Sequence, residues 1–283
     1  MKEAFLERMK DLPVMPEVAA RVLSLKEAGV GFRELESIIK VDPALTARIL
    51  KVANSALYAR QKEITSLQMA ISLLGFTNIR NLVLLVTASS FFPRMKRSAF
   101  HQAFWRHSIL SAFLSRNFTQ ACAGGSAAEE AFIAGLLHDI GQAALFSHAP
   151  EQYQRALETE KLGAMSLETI EEQLFEVNHR DLGGALLRKW NFPDLYADAA
   201  EQHESLNVTS AHKTVILLVT VACLLAARIG GQVLTPARAD LLAQIMPYTC
   251  FAAISPESLA QEQAWQLSQD PLYRECQELF GIR

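Results

Sequence analysis

The sequence has little of what the commoner catalytic frameworks require. It contains only four cysteines, Cys122, Cys223, Cys250 and Cys276, and no C-x-x-C. That spacing encodes neither a zinc knuckle nor a disulfide framework, and it predicts reduced thiols in a cytosolic protein. No P-loop or G-x-G-x-x-G pattern is present, which excludes the glycine loops that cradle nucleotide phosphates. Ser and Cys nucleophile elbows are absent as well. Charge of one sign is not in excess: the net charge is -3, unlike that of a strongly basic nucleic-acid or membrane-surface binder. Arg48, Lys51, Arg60, Lys62 and Arg80 are scattered at helical spacing and read as a solvated face.

Long apolar runs are also missing. The longest, Val215 to Ile229, follows Lys213 and is interrupted by Arg228. It falls short of the ~20 residues needed to cross a bilayer, so it reads as a buried core helix. The opening MKEAFLERMKDL is charged and amphipathic, unlike a signal peptide. A cytoplasmic location is therefore expected, with no membrane partner and no strong nucleic-acid signal.

What is abundant is apolar residues, 50% of 283, and helix punctuation. This is enough for a large core and for two domains. Asp42-Pro43 places a cap and a first-turn proline ahead of Leu45, Ile49, Val52 and Ala56 at helical spacing. Thr65-x-x-Gln68 and Ser126-x-x-Glu129 fit capping boxes. Gly75 suits a helix C-terminus, Asn178 a helix start, and Pro193 opens a further helix. The β-branched runs LVLLVT and VILLVTV lack hairpin turns and lie inside longer apolar stretches, so they too read as helix. Asn54 and Asn81 read either as bridges between helices or as surface polarity. The whole chain is expected to be all-α.

A proline and a basic cluster in Phe91–Arg97 mark the best boundary. The expected division is an N-terminal helical subdomain over 1–93 and a second helical subdomain over 94–283. Residues 231–283 should add helices packed on the second part. Ala123-Gly124-Gly125-Ser126 reads as a loop within it.

Four of the seven histidines fall on apolar stripes. His107 lines up with Phe100, Phe104, Ser111 and Leu114, and His138 with Ala131 and Ala134. His179 lines up with Gly183, Leu186 and Trp190, and His203 with Leu195 and Ala199. A core-facing imidazole must be hydrogen-bonded or bound to a metal. One alone is more often a satisfied core residue. Four together, with Asp139 beside His138, favour a divalent-ion site. Gly141 places the pair near a helix end, where a carboxylate is poorly matched to the dipole and a bound cation would compensate it. His101, His148 and His212 sit at polar or loop positions.

At these residues the chain resembles the HD superfamily of metal-dependent phosphohydrolases, and within it the HD-related output domain family, HDOD. LPVMPEVAARVLSL, IIKVDPALTARILKVANSALY and ITSLQMAISLLGFTNIRNLVL are similar to its N-terminal half. FWRHSILSAFLS, AFIAGLLHDIGQAAL and VNHRDLGGALLRKWNFPDLYADAAEQHES carry the rest, over roughly residues 10–230. The resemblance implies an HD-domain-like helical bundle preceded by an N-terminal helical subdomain. It also implies a bacterial signal-transduction role as an output or scaffold module with signalling protein partners. By the same resemblance His107, His138, Asp139, His179 and His203 are the metal residues, for an ion that the sequence leaves open among Fe, Mn, Zn, Ni and Mg.

Two departures from the family pattern bear on chemistry. Cys223, in TVACLLA, stands where a later aspartate is expected, and Gln142 stands where a lysine often follows HD-I-G. Phosphoryl transfer needs metal-activated water and a cation clamp on phosphoryl oxygens, and both are weakened here. Cys223 could be a soft ligand, but more simply it is a small buried hydrophobe. The expectation is thus a regulatory module binding protein or ligand, a small nucleotide among the candidates, with an incomplete metal site and no assigned catalytic residue. The other reading is a weak metal-dependent phosphohydrolase or cyclic-nucleotide phosphodiesterase. No receiver or other sensor segment is visible, so input is expected through a partner or ligand.

Overall fold

The computed structural model describes residues 17–25, 31–54, 64–88, 92, 95, 98–161, 163 and 165–282. All regular structure among them is helical, with no strand. The N-terminal part contains α1 (Glu17–Ser24), α2 (Gly31–Lys40), α3 (Pro43–Ala53), α4 (Leu67–Leu74) and α5 (Phe76–Ala88). Asp42 caps α3 by accepting from the Ala44 and Leu45 amides, and Pro43 takes the first position, where a missing N–H costs nothing. Gly75, at φ 83°, ends α4, and α5 turns away by 113°. Few side chains tolerate that backbone. LVLLVT lies within α5 and is buried throughout.

The second part is built around the 25-residue α6 (Ala99–Ala123), capped by Ser98. There follow α7 (Ala128–Leu137), α8 (Ile140–His148), α9 (Pro150–Lys161), α10 (Leu167–Phe175), α11 (His179–Lys189) and α12 (Asp194–Gln202). VILLVTV lies in α13 (Lys213–Ile229), which packs against α6 and α7 with one residue after another buried. Among the described residues no single helix is long and apolar enough to cross a membrane. Finally α14 (Pro236–Ile245), α15 (Pro256–Gln269) and α16 (Pro271–Leu279) close over α6 and α13. Each has a capping side chain, Thr235, Ser255 or Asp270, followed by a first-turn proline. Arg116 of α6 bonds Asp270 at 3.1 Å and lies over the Phe113 ring.

One apolar cluster runs from Ala19 to Ile282 through both parts. The boundary read at Phe91–Arg97 falls mostly outside the described residues; its two described members, Phe92 and Met95, are buried. Arg60 and Lys62 are also outside them. Asn54 and Asn81 are bridges. The Asn54 side chain donates to Ile64 O and accepts from Ile64 N, while Asn81 Nδ2 donates to Glu129 Oε2 at 2.6 Å, linking α5 to α7.

Three local expectations are corrected. The cap of α4 is Ser66, not Thr65, because the helix starts one residue later than the box implied. The helix start expected at Ser126-x-x-Glu129 is displaced: a 3₁₀ turn, Gly125–Ala127, feeds directly into α7, Ala127 takes the cap position, and Glu129 accepts from Asn81. The thiols are not all reduced. Cys122 and Cys250 form a disulfide that ties the end of α6 to the turn before α15, while Cys223 and Cys276 are free and buried. A partner 128 residues away leaves no spacing signal, and with the bond in place thiol usage no longer argues for a reducing compartment.

Phe113 is fully buried, edge-on to Phe132 of α7 and Tyr273 of α16. Phe113→Ala should therefore cost about 3–5 kcal/mol of unfolding free energy. Denaturant titration checks this, and a loss below about 1 kcal/mol would contradict the packing described.

Candidate metal centre

Two glycines let the helices approach closely enough to gather the site. A Cβ on Gly135 would lie 2.5 Å from Ser115 Oγ and 2.8 Å from Ser111 O, so α7 lies directly on α6 one turn before His138. A Cβ on Gly141 would lie 1.9 Å from His179 O, so the start of α8 abuts the start of α11. His107 projects from α6, His179 opens α11 and His203 follows α12. His138 and Asp139 form the step between α7 and α8.

Asp139 therefore stands at the N-terminus of α8, where the dipole favours a carboxylate, and not only at the end of the preceding helix as its neighbours implied. It makes no capping bond with its side chain. Its oxygens face imidazoles instead. Oδ2 lies 3.5 Å from His107 Nε2 and 3.3 Å from His138 Nε2. Oδ1 lies 3.6 Å from His179 Nε2 and 3.3 Å from His203 Nε2. The structure brings together all five residues that the sequence singled out.

Three of the imidazoles are oriented from behind. His138 Nδ1 is 2.8 Å from Gly135 O, and His203 Nδ1 is 2.9 Å from Ala200 O. His179 Nδ1 is 2.7 Å from Glu171 Oε2. Carbonyl and ionised carboxylate oxygens only accept, so each Nδ1 is the donor. A neutral ring then offers its inward Nε2 lone pair to an ion, whereas a protonated ring donates Nε2–H to Asp139. Glu171 is itself fixed: it also accepts from the His179 amide and from Tyr153 Oη.

Burial dominates at His107, driving its pKa down to about 3 against the pull of Asp139. Burial likewise lowers His203. At His179 burial is outweighed by Glu171 and Asp139, and the ring is pushed up to about 9. At His138 Asp139 outweighs burial, so the value rises. Asp139 is held well below the usual carboxylate range, because its imidazole neighbours, His138 first, outweigh burial.

The donors fit a divalent ion. Bonds of about 2.1 Å at right angles put neighbouring ligand atoms about 3 Å apart, close to the 3.3–3.6 Å found here. His138, Asp139 and His203 offer three atoms within 4.8 Å of one another, and so do His107, His138 and Cys223. Cys223 Sγ is 3.5 Å from His107 Nε2. Burial, then the Glu204 carboxylate, pushes that thiol well above its ordinary value.

Sequence reasoning missed three charged residues here. Glu171 had a signal: a carboxylate one turn beyond Leu167 and next to Ile170, on the buried face of α10. Glu204 and Arg238 had none, because their pairing spans 34 positions. Arg238 Nη2 donates to Glu204 Oε1 at 2.5 Å and lies 3.6 Å from Cys223 Sγ. Glu204 has φ 62°, a left-handed turn that lets the chain reverse just after His203. Gln202 is turned away, accepting from the Thr209 and Ser210 amides. His101, His148 and His212 are not part of the cluster.

A cavity of about 640 Å³ opens onto Asp139, His179 and His203. Gln142 also lines it, with Arg238 and Leu241 of α14, so the C-terminal segment supplies part of its wall.

Comparison with known proteins places this arrangement. The family model for the HDOD domain matches residues 12–206. An uncharacterized protein of Treponema pallidum (strain Nichols) is 21% identical over 201 residues, 71% of this chain, and the chain spans 39% of that relative's length. An HDOD domain protein of unknown function from Geobacter sulfurreducens superposes with a TM-score of 0.77 at 20% identity, covering 98% of this chain and 96% of that one. A structure from Marinobacter aquaeolei, proposed to be a signal transduction protein, gives 0.75 at 21% identity, over 99% of this chain and 64% of that one. At these identities the solved structures establish the shared fold.

Gly141→Ala tests the approach of α8 to α11. A methyl at 1.9 Å from a backbone oxygen cannot be accommodated by a side-chain shift. Stability should fall by at least about 1–3 kcal/mol, and divalent-ion binding should fall with it. Thermal melts and ion titration measure the two, and an unchanged variant would show that the close approach is not needed.

Proposed function

We propose, from the premise that this chain belongs to the HDOD domain family, that it is a signal-transduction module which binds a divalent ion and small ligands in this cavity and reports occupancy to a protein partner, without turning over a substrate. One observation carries this reading. The position next to His107 that a carboxylate would need is taken by the buried Cys223 thiol, which is bonded to Glu204 and lies against Arg238. A protonated thiol is a poor ligand for a hard ion. Gln142 adds no positive charge to the cavity wall, and Arg238 is already committed to Glu204.

Asp139, His179 and His203 would hold the ion, with His138 and His107 beside them. When bound, the ion supplies Lewis-acid polarisation of whatever oxygen or nitrogen enters the cavity. The chain's own part is orientation: Glu171, Gly135 O and Ala200 O fix the rings, and Asp139 stays ionised among them. At about 640 Å³ the cavity is in the range of small-molecule sites and admits a small nucleotide. The intact imidazoles and Asp139 also favour the second reading, a weak metal-dependent phosphohydrolase or phosphodiesterase.

The test is elemental analysis of protein purified without a chelating tag, together with phosphatase and cyclic-nucleotide phosphodiesterase assays. The expected outcome is near-stoichiometric ion in the native chain, loss of at least tenfold in affinity in Asp139→Ala, and no metal-dependent turnover in either. Metal-dependent turnover that vanishes in Asp139→Ala would overturn the regulatory reading in favour of the hydrolase.

A further inference from the structure

The two oxygens of Asp139 divide the cluster into two cation positions. Oδ2 looks toward His107 and His138, Oδ1 toward His179 and His203. The two sides are not equivalent. On the Oδ2 side, Cys223 Sγ lies 3.5 Å from His107 Nε2 and 3.4 Å from Glu204 Oε1. Arg238 Nη2 lies 3.6 Å from that sulfur and 2.5 Å from the same Glu204 oxygen. Arg180, the other arginine lining the cavity, is held by His203 O and Glu168. Cys223 and Arg238 both lie outside the residues 12–206 matched by the family model.

We infer that the Arg238–Glu204 pair stands in for a second metal ion, filling the Oδ2 side of the cluster and leaving Asp139 Oδ1, His179 and His203 to bind a single divalent ion. The inference rests on the metal reading proposed above and adds a stoichiometry and the residue that sets it. Three physical points support it. A guanidinium keeps its proton in proteins, so this cation is permanent. It repels a divalent ion across a short, buried distance where screening by water is weak. It also holds the Glu204 carboxylate, an oxygen ligand 3.4 Å from Cys223 Sγ that could otherwise replace the missing aspartate.

Manganese(II) is a suitable probe, because this hard ion prefers carboxylate and imidazole to thiol. Metal-free protein is titrated with Mn²⁺, free ion is followed by electron paramagnetic resonance, and bound Mn²⁺ is counted per chain. The native protein should bind one ion. Arg238→Gln should bind two and show the broadened signal of a coupled pair. Arg238→Lys, which keeps the charge, should stay at one. Arg238→Gln/Glu204→Gln should return to one, because the freed oxygen ligand is gone. Arg238→Met retains an unbranched stem of similar reach and gives the same reading if the Gln variant does not fold. Thermal melts confirm that each variant is folded.

A native protein that binds two ions overturns the inference, and so does an Arg238→Gln or Arg238→Met chain that still binds one; both results leave the metal reading intact. If no variant binds Mn²⁺, the metal reading fails and this inference fails with it.

Discussion

Asp139 is a buried carboxylate with four imidazole nitrogens between 3.3 and 3.6 Å away. Removing a carboxylate from water is costly unless charge or hydrogen bonds replace the lost solvation. Here the replacement comes from four separate segments, α6, the α7–α8 step, the start of α11 and the end of α12. That requirement ties the second part of the chain together. No pair of these helices can shift without leaving the carboxylate, or an imidazole, short of a partner.

The backbone is arranged to meet this constraint. Gly135 and Gly141 remove the side chains that would hold α7 off α6 and α8 off α11. The α7–α8 step places Asp139 at the positive end of α8, so the dipole adds to the imidazoles in keeping it ionised. Behind the rings, Glu171 and two carbonyl oxygens take the Nδ1 protons. The Nε2 atoms are thereby turned inward before any ligand arrives, so little ordering remains to oppose ion binding. The N-terminal helices contribute indirectly: Asn81 of α5 anchors Glu129 at the start of α7, the helix that leads into His138.

The same cluster also limits the chemistry. Its Oδ2 side ends in a thiol and an arginine–glutamate pair, and its cavity wall carries Gln142. The thiol and the arginine come from parts of the chain whose effect depends on docking. Cys223 reaches the site because α13 packs against α6, and Arg238 because α14 lines the cavity. The Arg116–Asp270 ion pair and the Cys122–Cys250 disulfide fasten the C-terminal helices onto α6. The site is thus shaped in part from its C-terminal side.

The helical class was legible in the sequence because caps, prolines and apolar spacing act locally: Asp42-Pro43, Asn178 and Gly75 do in the structure what their spacing implies. The four core-facing histidines were legible because they share stripes with leucines and alanines, and helical spacing carries that information along one element. Glu171 was within reach by the same logic. The corrected elements are those where a neighbour in space decided the outcome. The cap position of α7 fell at Ala127 with Glu129 accepting from Asn81, Asp139 became the start of a helix as well as the end of one, and Cys122 found Cys250 across 128 residues. The sequence by itself determined the helices and which residue types face inward, since both depend on interactions a few residues apart. Only the tertiary structure decided that Asp139 serves two pairs of imidazoles and that Arg238 and Glu204 close one side of it, since those contacts are set by helix packing over 30 to more than 100 positions of chain.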